Sequence, residues 1–248
     1  MNKLAYTFLI LSFMTTGFYL LYPSPVDTAV SFVKLKTSSK YTINDRLEAF
    51  GSSVRTRLLP DFQEAKVPLP PQAISLLAFK DTKRLELYAQ DNQGLWKQVK
   101  VYPIQAASGN LGPKLREGDR QVPEGVYAIE LLNPNSLYHV SLRLNYPNAY
   151  DRQMGALEGR EQLGSDIMIH GKNVSIGCLA MGDVAAEELF ALAAWVGIEH
   201  MKVVIAPTDF RLNRQLTMDK GLPVWTRALY ANLRAELSLY EPTPVSVN

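Results

Sequence analysis

The chain reads as a mainly β protein with peripheral helices. Two patterns predict it: short runs of apolar and polar residues in alternation, and turn clusters that separate them, such as Lys80-Asp81-Thr82-Lys83 and Asp91-Asn92-Gln93-Gly94. A third, helical periodicity, is confined to the flanks and to one stretch after residue 182. Turns at this frequency argue for a mainly antiparallel sheet rather than for alternating crossovers.

Taken in order, residues 1–25 come first. Lys3 precedes an uncharged stretch, 4–21, rich in Leu, Phe and Tyr, which Pro23 and Pro25 close. Its length is near that of a bilayer span and no Ala-x-Ala site comes after it, so an uncleaved signal anchor is expected ahead of a cleaved signal peptide. Residues 26–72 hold a helical region and a Pro-rich linker. Ile43, Leu47, Phe50, Val54 and Leu58 step by three or four over 41–60, with Thr42 or Asn44 as cap, and Pro60, Pro68, Pro70 and Pro71 punctuate the linker.

Residues 73–208 form the main domain, with strands expected at 74–79, 84–89, 96–104, 126–131, 138–144 and 201–205. Alternation in 138–144 sets Tyr138, Val140, Leu142 and Leu144 on one face and makes His139 a surface residue; His200 receives the same reading. An Ala/Leu-rich helix is expected over 184–196, with Asp183 as N-cap and Gly197 as its end. Residues 209–248 form a C-terminal helical extension in which Trp225, Leu229, Leu233 and Leu237 recur at helical spacing and pack on the domain.

Composition narrows the function classes. Of 248 residues 47% are apolar, enough for a substantial core, and the net charge of +2 without a basic block argues against a nucleic-acid surface. The single cysteine forbids an internal disulfide. No His, Cys, Asp or Glu cluster has metal-ligand spacing, so neither a metal nor a cofactor is expected.

That cysteine ends the run Ile167-Met168-Ile169-His170-Gly171-Lys172-Asn173-Val174-Ser175-Ile176-Gly177-Cys178. A nucleophilic thiol needs an imidazole to take its proton, a group to hold that imidazole, and backbone N–H groups for the oxyanion. One segment supplies all of them: Cys178 as nucleophile, His170 at a strand end as base, and Gly171 and Gly177 as approachable backbone. Ser175 is expected to orient His170 or to shape the oxyanion pocket, with a backbone carbonyl as the alternative for the orienting role. A helix starting close to Cys178, and ion pairing with protonated His170, are both expected to favour the thiolate near neutral pH.

At these residues the chain resembles the YkuD-type L,D-transpeptidase catalytic domain, whose motif runs from a His-Gly pair to Ser-x-Gly-Cys. The match is His170-Gly171 with Ser175-Ile176-Gly177-Cys178. The commoner motif has a longer gap and a second His where Ile176 stands; the short gap and Leu179-Ala180-Met181 after the cysteine resemble the YafK-like branch. The resemblance extends through Ala107-Ser108-Gly109-Asn110-Leu111-Gly112-Pro113-Lys114 and 117–127, and covers 74–207.

The resemblance implies a YkuD-like fold and a peptidoglycan-modifying cysteine acyltransferase of cell-wall biogenesis, acting through a Cys178 thioester on the L-centre of a stem diamino acid. Backbone N–H groups at Gly177 and Cys178 would hold the oxyanion and His170 would protonate the leaving amine. Lys114 and Arg120, in the long loop 109–125, are expected to bind carboxylates of the stem. The implied partners are peptidoglycan stem peptides, a wall-linked protein, and the inner membrane through the N-terminal segment; the implied location is the periplasm. Two other readings stand beside it: a hydrolase of the same fold, and a wall-binding module with an inert cysteine.

Overall fold

The computed structural model describes residues 40–212 and 221–242. All described elements belong to the unit Tyr41–Asn248. The expected anchor at 4–21 lies outside the described residues. Among the described residues no helix is long and apolar enough to cross a membrane.

Eight strands make one sheet: β1 (Ile74–Phe79), β2 (Arg84–Gln90), β3 (Trp96–Pro103), β4 (Gly125–Asn133), β5 (Ser141–Leu144), β6 (Met168–His170), β7 (Leu179–Ala180) and β8 (Met201–Ala206). Their order is β3-β2-β1-β8-β4-β5-β6-β7. Neighbours are antiparallel except β1 with β8 and β6 with β7. The fold is therefore mainly β with helices against it.

Strand β1 shows why both faces are covered. Every residue of Ile-Ser-Leu-Leu-Ala-Phe is buried, and period-2 alternation sends Ile74, Leu76 and Ala78 into one apolar cluster and Leu77 and Phe79 into another. Burial of each such Leu or Phe stabilises the fold by roughly 1.5–3 kcal/mol. The first cluster is closed by α1 (Ile43–Glu64) and α3 (Asp183–Val196). The second is closed by α4 (Thr226–Leu237), whose Leu229, Leu233 and Leu237 are the residues that the helical spacing singles out.

Three elements depart from expectation. Helix α1 is capped by Thr42 and continues past Pro60 to Glu64, because a proline removes one intrahelical bond whereas the turn beyond it buries Phe62 completely. Helix α2 (Ala149–Leu157) is absent from the sequence-based expectation; a capping box between Asn148 and Asp151 starts it. Finally, the expected strand 138–144 begins only at Ser141.

The residue that shortens that strand is His139, which takes a φ of 79°. It is not a strand surface residue: its Nε2 lies 3.0 Å from Glu187 and its ring 6.2 Å from Phe50. The kink also carries Tyr138 to His170.

Candidate active site

Strands β6 and β7 lie side by side and parallel, with Ile169 opposite Leu179 and His170 opposite Ala180. Cys178 lies in the bend immediately before β7, next to the paired residues.

His170 is buried, and its Nδ1 lies 2.6 Å from the carbonyl oxygen of Gly171. A carbonyl only accepts, so Nδ1 carries the proton and Nε2 is left as the basic atom. The backbone carbonyl, not Ser175, thus orients the imidazole. The Tyr138 ring lies over it, with centroids 4.6 Å apart and planes 33° apart. Burial holds the imidazole pKa below its ordinary value.

The Gly171 backbone has no room for a side chain. A Cβ there would meet the Asp183 carboxylate and the Tyr138 carbonyl, each at 2.6 Å. Asp183 is the first residue of α3, after Gly182, and makes no cap. Its carboxylate instead accepts from the Lys172 N–H at 2.9 Å and from Nζ at 2.8 Å, which braces the turn that holds His170.

Ser175 braces the backbone of Cys178. Its Oγ accepts from the Cys178 N–H at 3.1 Å and donates to the Cys178 carbonyl at 2.7 Å. The Gly177 N–H donates to Ser108 Oγ at 2.6 Å, and that hydroxyl donates to the Arg120 carbonyl at 2.8 Å. Both N–H groups expected to receive an oxyanion are therefore occupied by serine hydroxyls at rest.

The thiol of Cys178 donates to the carbonyl of Asp166 at 3.6 Å. Burial pushes its pKa up, and the Asp166 charge acts the same way; a backbone bond at Met168 and the Lys114 charge oppose them. The expectation of a helix-stabilised thiolate is thus corrected. Strand β7 and Gly182 separate Cys178 from the start of α3, and a helix-end field fades within about a turn.

Lys114 is also corrected as a ligand for substrate. It is buried, with Nζ 2.5 Å from Asp119 Oδ1 and 2.9 Å from the Arg116 carbonyl. Asp119 is the hub of this loop, accepting as well from the N–H groups of Leu115, Arg116 and Gln121. Arg120, with a φ of 55°, is exposed, and its carbonyl is already held by Ser108.

Two clefts lie beside neighbours of these residues, and neither is lined by His170 or Cys178. One of about 250 Å³ is lined by Lys80, Lys83 and 107–111, and shares Ser108. The other, of about 460 Å³, runs past Glu117, Arg152 and Gly164 to Ser165, the neighbour of Asp166. Among the described residues no group of three or more His, Cys, Asp or Glu is placed to hold a metal ion. Sequence reasoning missed Tyr138 and Ser108 as site residues. No local pattern signals either, since Tyr138 arrives through a backbone kink and Ser108 through a bond to a residue 69 positions away.

Residues 75–223 match the family model described as YkuD, L,D-transpeptidase catalytic domain. Two curated proteins, both named "Putative L,D-transpeptidase YafK", from Escherichia coli strain K12 and Escherichia coli O157:H7, are each 38% identical over 172 residues. The match takes in 66% of this chain and 66% of each relative, just under two thirds of their length. Similar solved structures include the helical cell shape determining protein Pgp2 of Campylobacter jejuni, at 18% identity and TM-score 0.44 over 69% of this chain and 71% of that one. Bd1075 of Bdellovibrio bacteriovorus gives 17% identity and TM-score 0.40 over 70% and 58%.

Proposed function

This chain belongs to the YkuD family of L,D-transpeptidase catalytic domains, and on that footing we propose that it is a peptidoglycan-modifying acyltransferase with Cys178 as nucleophile and His170 as base. The observation that carries the reading is the Nδ1–H bond from His170 to the Gly171 carbonyl. It leaves Nε2 as the basic atom of an imidazole on the strand that pairs with β7, the strand that directly follows Cys178.

The reaction starts from two neutral groups. The thiol leaves the Asp166 carbonyl and gives its proton to His170 Nε2 as sulfur attacks the carbonyl carbon on the L-centre of a stem diamino acid. The oxyanion is a charged acceptor and outcompetes the neutral Ser175 hydroxyl, 3.1 Å away, for the Cys178 N–H. Collapse of this intermediate breaks the C–N bond, and the imidazolium protonates the leaving amine. A thioester remains, and an acceptor amine that gives its proton back to His170 regenerates the thiol. The amine product is a crosslink or a wall-attached protein.

One observation favours a hydrolytic second reading. Ile176 stands where the commoner motif has a second His, and it is 73% exposed, so no second base flanks the thioester to deprotonate an acceptor ammonium. Water would then release a trimmed stem or a wall-linked protein. We further place the reaction in the periplasm, with 4–21 as the anchor to the inner membrane, a reading supported by the uncharged, apolar character of that segment.

The test incubates the protein with tetrapeptide muropeptides and an excess of a free D-amino acid, with products read by mass spectrometry. Exchange of the terminal residue, abolished in Cys178→Ser, is the expected result. Tripeptide as the sole product at every acceptor concentration would establish the hydrolase instead. No conversion at all would leave a wall-binding module.

A further inference from the structure

We infer that Ser108 is a positioning residue for the nucleophile: its hydroxyl fixes the Gly177 amide and so sets where Cys178 presents its thiol. The inference rests on the proposal that Cys178 is the nucleophile, and it names a control on that same site.

Gly177 has a φ of 101°, open to glycine and strained for other residues, and glycine is also the residue freest to leave such a conformation. The peptide just before the nucleophile is therefore the softest point of the turn. Ser175 reaches out of the loop only to Ser108 Oγ itself, at 3.5 Å, and its two shorter bonds run to Cys178, within the same loop. Those bonds shape the turn without anchoring it.

Ser108 supplies the anchor. Its Oγ accepts from the Gly177 N–H at 2.6 Å and gives its proton to the Arg120 carbonyl at 2.8 Å, so the hydroxyl cannot swing away without losing a second bond. The segment that carries it is itself tied to the strand after the nucleophile: Gln105 and Ala106 donate to the Ala180 carbonyl, and Ala180 donates back to Ala106. The 120–121 backbone closes the other side, with the Gln121 carbonyl 3.4 Å from where a Gly177 Cβ would sit. Three separate stretches of chain thus meet at one hydroxyl. A side chain in this position acts on the thiol through the backbone, and a displacement of about 1 Å at a reacting atom lowers rates by as much as a hundredfold.

The test compares wild type, Ser108→Ala and Ser108→Thr in the full chain. Three readouts are taken: kcat and KM on tetrapeptide muropeptide, the pH profile of Cys178 alkylation, and hydrogen exchange at the Gly177 amide. We expect Ser108→Ala to lower kcat on the order of tenfold with KM within about twofold, and the threonine hydroxyl to restore it. The alkylation midpoint should move down in Ser108→Ala, as the thiol is released from its buried place on the Asp166 carbonyl. A purely structural role would lower the melting temperature and move neither kcat nor the midpoint, and that result overturns the inference. Alkylation and exchange need no turnover, so they decide the role of Ser108 even if the muropeptide reaction fails. Should Ser108→Ala not fold, the wild-type Gly177 amide still decides: slow exchange supports the bond to Ser108, and exchange at the rate of an open loop refutes it.

Discussion

At neutral pH Cys178 is a thiol and His170 a neutral imidazole, and alkylation kinetics can show it. Burial raises the thiol pKa and lowers that of the imidazole, so each group moves toward its uncharged form. An unperturbed cysteine near pKa 8.5 is about 3% thiolate at pH 7, and an upward shift makes the fraction smaller still. A resting thiolate–imidazolium pair would instead put the thiol pKa near 4 and the fraction near unity. The alkylation rate at pH 7 should therefore be less than about one thirtieth of the plateau reached in strong alkali. Iodoacetamide labelling read by intact mass has no site ambiguity, since Cys178 is the only cysteine. His170→Ala should abolish turnover yet change labelling at pH 7 by no more than about threefold, because the imidazole does not ionise the resting thiol. Turnover in wild type should hold steady across the neutral range and fall in acid, where Nε2 becomes protonated. A wild-type labelling plateau that already begins near pH 5 and disappears in His170→Ala would refute this account of the resting site.

Other outcomes rest on single contacts. Gly171→Ala forces a Cβ against the Asp183 carboxylate and the Tyr138 carbonyl. It should cost about 1–3 kcal/mol of stability by overpacking, with turnover falling more than tenfold as the carbonyl that orients His170 shifts; wild-type turnover in this variant would show that the carbonyl is not needed. The Arg211 side chain is 4% exposed, with its guanidinium 2.8 Å from Glu86 and 2.7 Å from Asp209. Arg211→Met should destabilise the fold by about 3–5 kcal/mol in urea titrations, and a loss under about 1 kcal/mol would mean that Arg84 alone satisfies both carboxylates. Burial pushes the Asp151 carboxyl up to about 6 from 3.8. Because the folded pKa is the higher one, wild-type stability relative to Asp151→Asn is greatest below pH 3.8 and is lost as pH rises through 6. The full difference is about 3 kcal/mol, and parallel stability curves for the two proteins between pH 4 and 7 would contradict it.

The strands at 74–79 and 201–206 are legible in the sequence because a strand covered on both faces leaves an apolar run between turn clusters, interrupted here only by Ser75 and Lys202, and that signal is local. Helix α2 is not, since only Met154 and Gly155 of its nine residues are buried, which is too little for periodicity to register. Alternation across 138–144 is a true pattern with a wrong consequence. It reports which side chains are apolar and is silent on φ, and the positive φ at His139 is what brings Tyr138 onto His170.

His170 and Cys178 are readable as candidates because they flank one connection between adjacent strands, whereas the partner of each remaining polar group is not. Lys114 has the charge of a ligand for substrate carboxylates, and Asp119, five residues on, claims it instead. Hidden partners also explain why the motif overstates the readiness of the thiol. Its sulfur rests on the Asp166 carbonyl, and the amides of Cys178 and Gly177 rest on Ser175 and Ser108. If Cys178 is the nucleophile, as proposed, its reactivity is conditional: a substrate must replace the Asp166 carbonyl as the neighbour of sulfur and offer the Cys178 N–H a stronger acceptor than a hydroxyl. On the proposed mechanism an anionic tetrahedral centre does both, and a ground-state carbonyl does neither well, so that mechanism draws on these hydrogen bonds in the transition state rather than in substrate binding.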